Sequence, residues 1–199
     1  MRVSVLLLAA GGSTRMRGGD KLLEAVEGEP LLRRSARTAL DSAAEETLVV
    51  LGANRTAREA AVAGLPVRRV ANAGWEEGMG TSIAAGAAAL SSGMSGVLVM
   101  AADMPDLTPG LIDRLIAALP ADDSRVIARP CTDGGVPGNP VLFGAAHLPA
   151  LAALRGDTGA REVVAANRAD LRLVPAEDNA CLLDLDTPEA WQAYRNRRV

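Results

Sequence analysis

The sequence predicts a three-layer α/β/α protein built on a mainly parallel mixed sheet. Two observations carry that expectation. Apolar runs of strand length, each bounded by turn residues, recur along the chain. Stretches of helix-forming composition lie between most of them, and strand followed by helix, repeated, is the pattern of a parallel sheet covered on both faces.

The elements follow in order. "VSVLLLAA" (3–10) is the first strand and a helix is expected from Pro30 to Asp41. "TLVVLG" (47–52) leads to a helix over Asn54–Ala63, and "VRRVAN" (67–72) to one over Thr81–Leu90. "GVLVMAAD" (96–103) precedes a helix over Pro109–Leu119, whose start is marked by Thr108 as N-cap and proline in the first helical position. "SRVIAR" (124–129) and "NPVLFG" (139–144) are the last strands expected, followed by helices over His147–Leu154 and Gly159–Ala166. Thr187 and Pro188 repeat the capping device for a final helix. In an open sheet of this kind ligands sit beyond the carboxyl ends of the strands, which selects the loops after Ala10, Ala71 and Ala102.

The chain has 199 residues, enough for one domain with a substantial core, so a single domain over 1–199 is expected. A hydrophobic fraction of 49% with a net charge of -3 argues for a globular protein and against a nucleic-acid coat. Aromatics at 2% leave few platforms for stacking bases. Cys131 and Cys181 are far apart in sequence and form no CxxC pair, so a reducing cytoplasm is the expected location. No apolar run reaches membrane-spanning length, and Arg15, Arg17 and Lys21 stand where a secretory cleavage region would be uncharged.

The first loop, "LAAGGSTRMRGGDK", carries the chemistry. It lacks the GxGxxG spacing of dinucleotide folds, because Gly11 and Gly12 are adjacent. It also lacks Gly-Lys-Ser/Thr, because Lys21 lies between Asp20 and Leu22. What remains is a turn whose backbone N–H groups from Ala10 to Ser13 can approach a phosphate closely, flanked by Arg15 and Lys21. The alternative is a tight turn with two solvated cations.

"LLAAGGSTRMRGGDKLL" resembles the "AAGxSxRMG…K" signature of the MobA-like nucleotidyltransferases. "NAGWEEGMGTSIAAG" (72–86), "VLVMAADMPDLTPGLIDRLI" (97–116), "GNPVLFGAAHLPALAALRGDTGAREVV" (138–164) and "LLDLDTPEAW" (182–191) extend the likeness over nearly the whole chain. They are most similar to the molybdenum cofactor cytidylyltransferase branch. The resemblance implies a Rossmann-like nucleotidyltransferase fold and an Mg²⁺-dependent transfer of CMP from CTP to molybdopterin, with release of pyrophosphate. A molybdenum enzyme or its maturation chaperone would receive the product.

On that reading Arg15 and Lys21 are catalytic cations, with Leu8, Ala9, Ala10, Gly11, Gly12 and Ser13 lining the nucleotide site. Gly80 and Ser82 belong to the nucleotide pocket by resemblance, the alternative being an ordinary helix cap. Asp103 is expected as catalytic carboxylate and Mg²⁺ ligand, with Asp184 as the second ligand. Asp186, directly before Thr187-Pro188, is expected to cap the last helix and to point away from the metal. Asp157 and Arg161 of "RGDTGARE" are placed by the acceptor, against the alternative of an i,i+4 surface pair.

Two positions depart from the family pattern. Arg17 adds a cation to the phosphate loop, and Asn139 stands where the family often has histidine, so it is an acceptor-binding candidate that cannot become charged. Ala10, where the guanylyl branch tends to have glycine, favours CTP over GTP. Three other readings stay open: a GTP-using enzyme, a sugar- or polyol-phosphate nucleotidyltransferase of the same fold, and a non-catalytic carrier of the finished cofactor.

Overall fold

A computed structural model describes residues 1–197. Its main sheet is laid out in the order β5 (Arg68–Ala71), β4 (Glu46–Leu51), β1 (Val3–Ala9), β6 (Gly96–Ala101), β8 (Val141–Gly144), β7 (Ile127–Cys131) and β9 (Leu171–Pro175). β8 runs antiparallel to both its neighbours, and every other pairing is parallel. The sheet is therefore mixed and mainly parallel, as the alternation of strands and helices predicts.

The alternating side chains of β1 show how two cores arise from one strand. Val3, Val5, Leu7 and Ala9 face α1 (Leu31–Leu40) and α4 (Pro109–Ala117), packing with Leu32, Ala36, Ile112 and Leu115. Leu6 and Ala10 face the other way, toward Ile83 of α3 (Met79–Ala88), Leu151 of α5 (Leu148–Ala152) and Val163 and Val164 of α6 (Arg161–Ala166). Each fully buried leucine contributes on the order of 1.5–3 kcal/mol, so both faces need their helices. Gly86 lets α3 lie close to the sheet, since a Cβ there would collide with Leu6.

Several boundaries move. β7 begins and ends later than 124–129, and α3 begins at Met79 rather than Thr81. Two features are absent from the sequence expectation: the edge strand β9 and a short hairpin of β2 (Ala25–Val26) and β3 (Glu29–Pro30). A third core joins that hairpin to α7 (Pro188–Asn196): Val26, Leu31, Leu185, Trp191 and Tyr194 enclose Met16 of the first loop. Thr108 and Thr187 cap α4 and α7 as expected, accepting from the N–H groups of Leu111 and Ala190. Among the described residues no helix is long and apolar enough to cross a membrane.

Glu46, at the start of β4, ties the end of the sheet opposite the site. Burial alone would raise its pKa. The N–H of Ser91, the hydroxyls of Ser4 and Ser91 and the Arg68 guanidinium outweigh burial and hold its carboxyl at about 2. A depressed acid stabilises the fold above its unfolded pKa and loses that contribution as pH falls through the folded value. Glu46→Gln is therefore expected to lower stability at neutral pH by roughly 1–2 kcal/mol, discounted for solvent screening of the exposed Arg68. Urea melts should show the deficit fading between about pH 4.5 and pH 2; a deficit that does not change with pH would refute the assignment.

Candidate active site

The site lies beyond the carboxyl ends of β1 and β6. A cleft of about 470 Å³ is lined by Leu8 to Arg15, Lys21, Trp75, Ser82, Asp103, Asp157 and Asp186. β1 ends at Ala9, and the turn that follows crosses the indole of Trp75. A Cβ at Gly12 would stand 3.0 Å from that ring, so glycine sets the close approach. Ser13 and Arg17 adopt left-handed φ values of 52° and 51° on either side of a single turn over Thr14–Met16. Among the described residues no protein acceptor meets the N–H groups of Gly11, Gly12 or Ser13. Three successive unpaired donors beside a cleft form a cradle for an anion.

A cluster of four charges faces this cradle. Lys21 Nζ donates at 2.5 Å to Asp103 Oδ2 and at 2.5 Å to Asp186 Oδ1. Arg15 reaches Asp186 Oδ2 at 2.6 Å. Burial alone would lower the Lys21 pKa, but the charges and hydrogen bonds of both carboxylates outweigh it and raise it. For Asp186 burial pulls upward, while Lys21 and Arg15 hold the carboxyl below its ordinary range. Asp103 Oδ1 is buried with no hydrogen-bond partner, while Oδ2 of the same carboxylate is held by Lys21. Leu185 N–H donates to the Asp103 carbonyl at 3.0 Å, and that bond brings the 184–186 segment to the end of β6.

Of the two late carboxylates, Asp186 lines the cleft and Asp184 does not, the reverse of the expected orientation. Asp184 is exposed, does not line the cleft and has no ion pair among the described residues. Burial and the negative charges of Asp186 and Asp103 push its pKa up. Asp186 is instead the carboxylate beside Lys21 and Arg15, because Thr187 supplies the helix cap and leaves the Asp186 side chain for those cations.

Other expected site residues divide. Leu8, Ala9, Ala10, Gly11, Gly12, Ser13, Arg15, Lys21, Ser82, Asp103 and Asp157 come together around the cleft. Gly80 lies beneath the 155–158 turn: its N–H donates to Gly156 O at 2.8 Å, and a Cβ would stand 2.6 Å from Thr158 O. It thus serves packing of that turn, which carries Asp157, and does not line the cleft. Arg161 is exposed at the start of α6, off the cleft, and no ion pair joins it to Asp157. Asn139 is exposed at the foot of β8 and is also outside the cleft lining. Arg17 is drawn away to Glu189 of α7 at 2.6 Å, so it adds no charge to the cradle.

Sequence reasoning missed Arg58, Asp20 and Asn54, which meet behind the loop. Arg58 belongs to α2 (Arg55–Ala61) and is 1% exposed. It forms an ion pair with Asp20, and Asn54 Nδ2 donates to the same carboxylate at 2.8 Å. No sequence signal marks it: Arg58 is the one buried residue of a short helix whose other side chains are exposed or half-buried.

A mainly parallel sheet with a glycine cradle and a lysine–carboxylate cluster over its strand ends places the chain among nucleotidyltransferases. Residues 5–172 match the MobA-like NTP transferase domain, and the chain belongs to that family. It is 33% identical to nicotine blue oxidoreductase of Paenarthrobacter nicotinovorans, over 97% of this chain and 95% of that protein. It is 30% identical to the purine catabolism protein PucB of Bacillus subtilis, covering 96% and 94%. Among solved structures, Rv0371c of Mycobacterium tuberculosis superposes with a TM-score of 0.85 at 25% identity, covering 98% of both chains.

Proposed function

We propose that the protein is an Mg²⁺-dependent cytidylyltransferase that transfers CMP from CTP to molybdopterin. The observation that carries the transferase reading is the juxtaposition of the unpaired Gly11–Ser13 donors with Lys21, Arg15, Asp103 and Asp186. The acceptor and base rest on the likeness of motifs from the first loop to "LLDLDTPEAW" and on Ala10 at the nucleotide wall.

In this reaction an acceptor phosphate oxygen bonds to the α-phosphorus of CTP while the bond from that phosphorus to the bridging oxygen breaks. The electron pair leaves with pyrophosphate. The Gly11–Ser13 N–H groups, Lys21 and Arg15 bind the β- and γ-phosphates and stabilise the charge that develops on the leaving group. Leu8, Ala9, Ala10 and Ser82 hold the nucleoside, and Asp157 faces the acceptor side of the cleft.

The donor set fits Mg²⁺, which prefers oxygen ligands and commonly takes only one or two carboxylates beside substrate phosphates. Among the described residues no group of three or more metal-ligating side chains is assembled. Asp103, through its unpartnered Oδ1, and Asp186 would hold the ion. When bound, Mg²⁺ supplies neutralising charge to both the carboxylates and the triphosphate.

The test is thermal stabilisation by CTP, GTP, ATP and UTP, with and without Mg²⁺. A ligand at about 100 times its Kd stabilises by about 2.7 kcal/mol, a clear shift in melting temperature. A Mg²⁺-dependent shift for CTP alone, absent in Asp103→Ala and followed by pyrophosphate release with molybdopterin, is the expected result. GTP preference would refute the cytidylyl assignment, and tight product binding without pyrophosphate release would favour the carrier.

A further inference from the structure

We propose that Arg58 is a positioning residue, whose buried guanidinium, clamped by Asp20, fixes the glycine loop in the form that receives a triphosphate. The inference rests on the nucleotidyltransferase reading and adds to it a residue outside the cleft lining.

All five N–H donors of a guanidinium need partners when it is buried. Arg58 finds them in one place. Nε donates to Asp20 Oδ2 at 2.9 Å, and Nη2 donates to Asp20 Oδ1 at 3.0 Å and to Ser13 Oγ at 3.2 Å. Nη1 donates to the carbonyls of Ala9 and Gly11, each at 2.8 Å. Asp20 is itself held by the Leu22 N–H, the Ser13 hydroxyl and Asn54 Nδ2. Burial pulls the Asp20 pKa upward, but these donors and the Arg58 charge hold it below its ordinary range.

For stability alone, an apolar residue of similar volume commonly does as well as a buried ion pair. An apolar residue cannot hold two carbonyls two residues apart. In a planar trans peptide the carbonyl of one residue and the N–H of the next point in opposite directions. Fixing Gly11 O toward Arg58 therefore turns the Gly12 N–H away from it, toward the cleft. Ala53 N–H, donating to Ala10 O at 2.9 Å, orients the Gly11 N–H by the same rule. Glycine leaves this backbone free to take many forms, and Arg58 selects the one whose donors converge.

Inorganic tripolyphosphate tests the loop independently of base and acceptor. Its Kd, with Mg²⁺, is measured by calorimetry on wild type, Arg58→Lys and Asn54→Gly, well below each melting temperature. Arg58→Lys keeps the charge but cannot span both carbonyls and the carboxylate, so its Kd should rise about tenfold or more, the scale of a lost charge-assisted hydrogen bond. Asn54→Gly suits the left-handed φ of 48° and loosens only Asp20, so a rise of about two- to fivefold is expected. A folded Arg58→Lys that melts earlier yet binds with wild-type Kd would overturn the proposal, because a purely stabilising role leaves the folded protein's affinity intact. If Arg58→Lys does not fold, an unchanged Kd in Asn54→Gly overturns it instead. Failure of wild type to bind tripolyphosphate or any nucleoside triphosphate would refute the underlying reading, a result visible before any variant is compared.

Discussion

Replacing Lys21 with methionine is expected to reduce turnover by about 10²–10³-fold, the cost of losing one preorganised charge donor at a developing anion. The same change should destabilise the ligand-free protein. Lys21 lies between Asp103 and Asp186, with side-chain exposures of only 13–18% among the three groups. Without it two carboxylates face each other with no shared cation, while Arg15 still reaches one of them from a largely exposed position. Removing one partner of a fully buried pair costs about 3–5 kcal/mol, and partial exposure reduces this to roughly 2–4 kcal/mol. Because the two acids raise the Lys21 pKa, wild type keeps this stabilisation throughout the neutral range and loses it only at strongly alkaline pH. A divalent cation should then restore the melting temperature of the Lys21→Met protein without restoring turnover. Turnover within about tenfold of wild type would remove Lys21 from the chemistry.

The fold was legible because its signals are local and repeated. Each apolar run from Val3 to Gly144 corresponds to a strand, and proline after threonine marks α4 and α7. β9, "LRLVP", is as solvent-facing as β5, so length and burial do not separate the strand that was expected from the one that was not. The first loop was legible for a similar reason: adjacent glycines after a buried strand mark a turn whose N–H groups can stay unpaired, with cations beyond them. Arg58 was not. Its partners Ala9, Gly11, Ser13 and Asp20 lie 38 to 49 residues away in sequence, and only the packing of α2 beneath the loop brings them together. Gly80 shows the converse error, since a small residue at a helix start suits a ligand and a neighbouring turn equally well.

The carboxylates of "LLDLDTPE" give the sharpest contrast between the two kinds of inference. Residues two apart in an extended segment share a face, so alternation cannot choose between Asp184 and Asp186. The capping role expected of Asp186 falls to Thr187, whose hydroxyl accepts from the Ala190 N–H and satisfies the helix start by itself. Asp186→Asn should lower kcat/KM by about 10²-fold or more, since it removes a charge held by both Lys21 and Arg15 and a candidate Mg²⁺ ligand. Asp184→Asn should stay within about threefold, as expected of an exposed side chain off the cleft. Stability separates them as well. A carboxyl with a raised folded pKa penalises the folded state at neutral pH and relieves it as pH falls through that pKa. Asp184→Asn should therefore melt at or above the wild-type temperature at pH 7, the difference closing as the solution is acidified. For Asp186, whose folded pKa is depressed, the sign reverses: the Asn variant melts lower at neutral pH and converges with wild type in acid. If Asp184→Asn is the inactive variant and Asp186→Asn retains turnover, the ion belongs to Asp184, and the Lys21–Asp186 contact is a feature of the ligand-free protein alone.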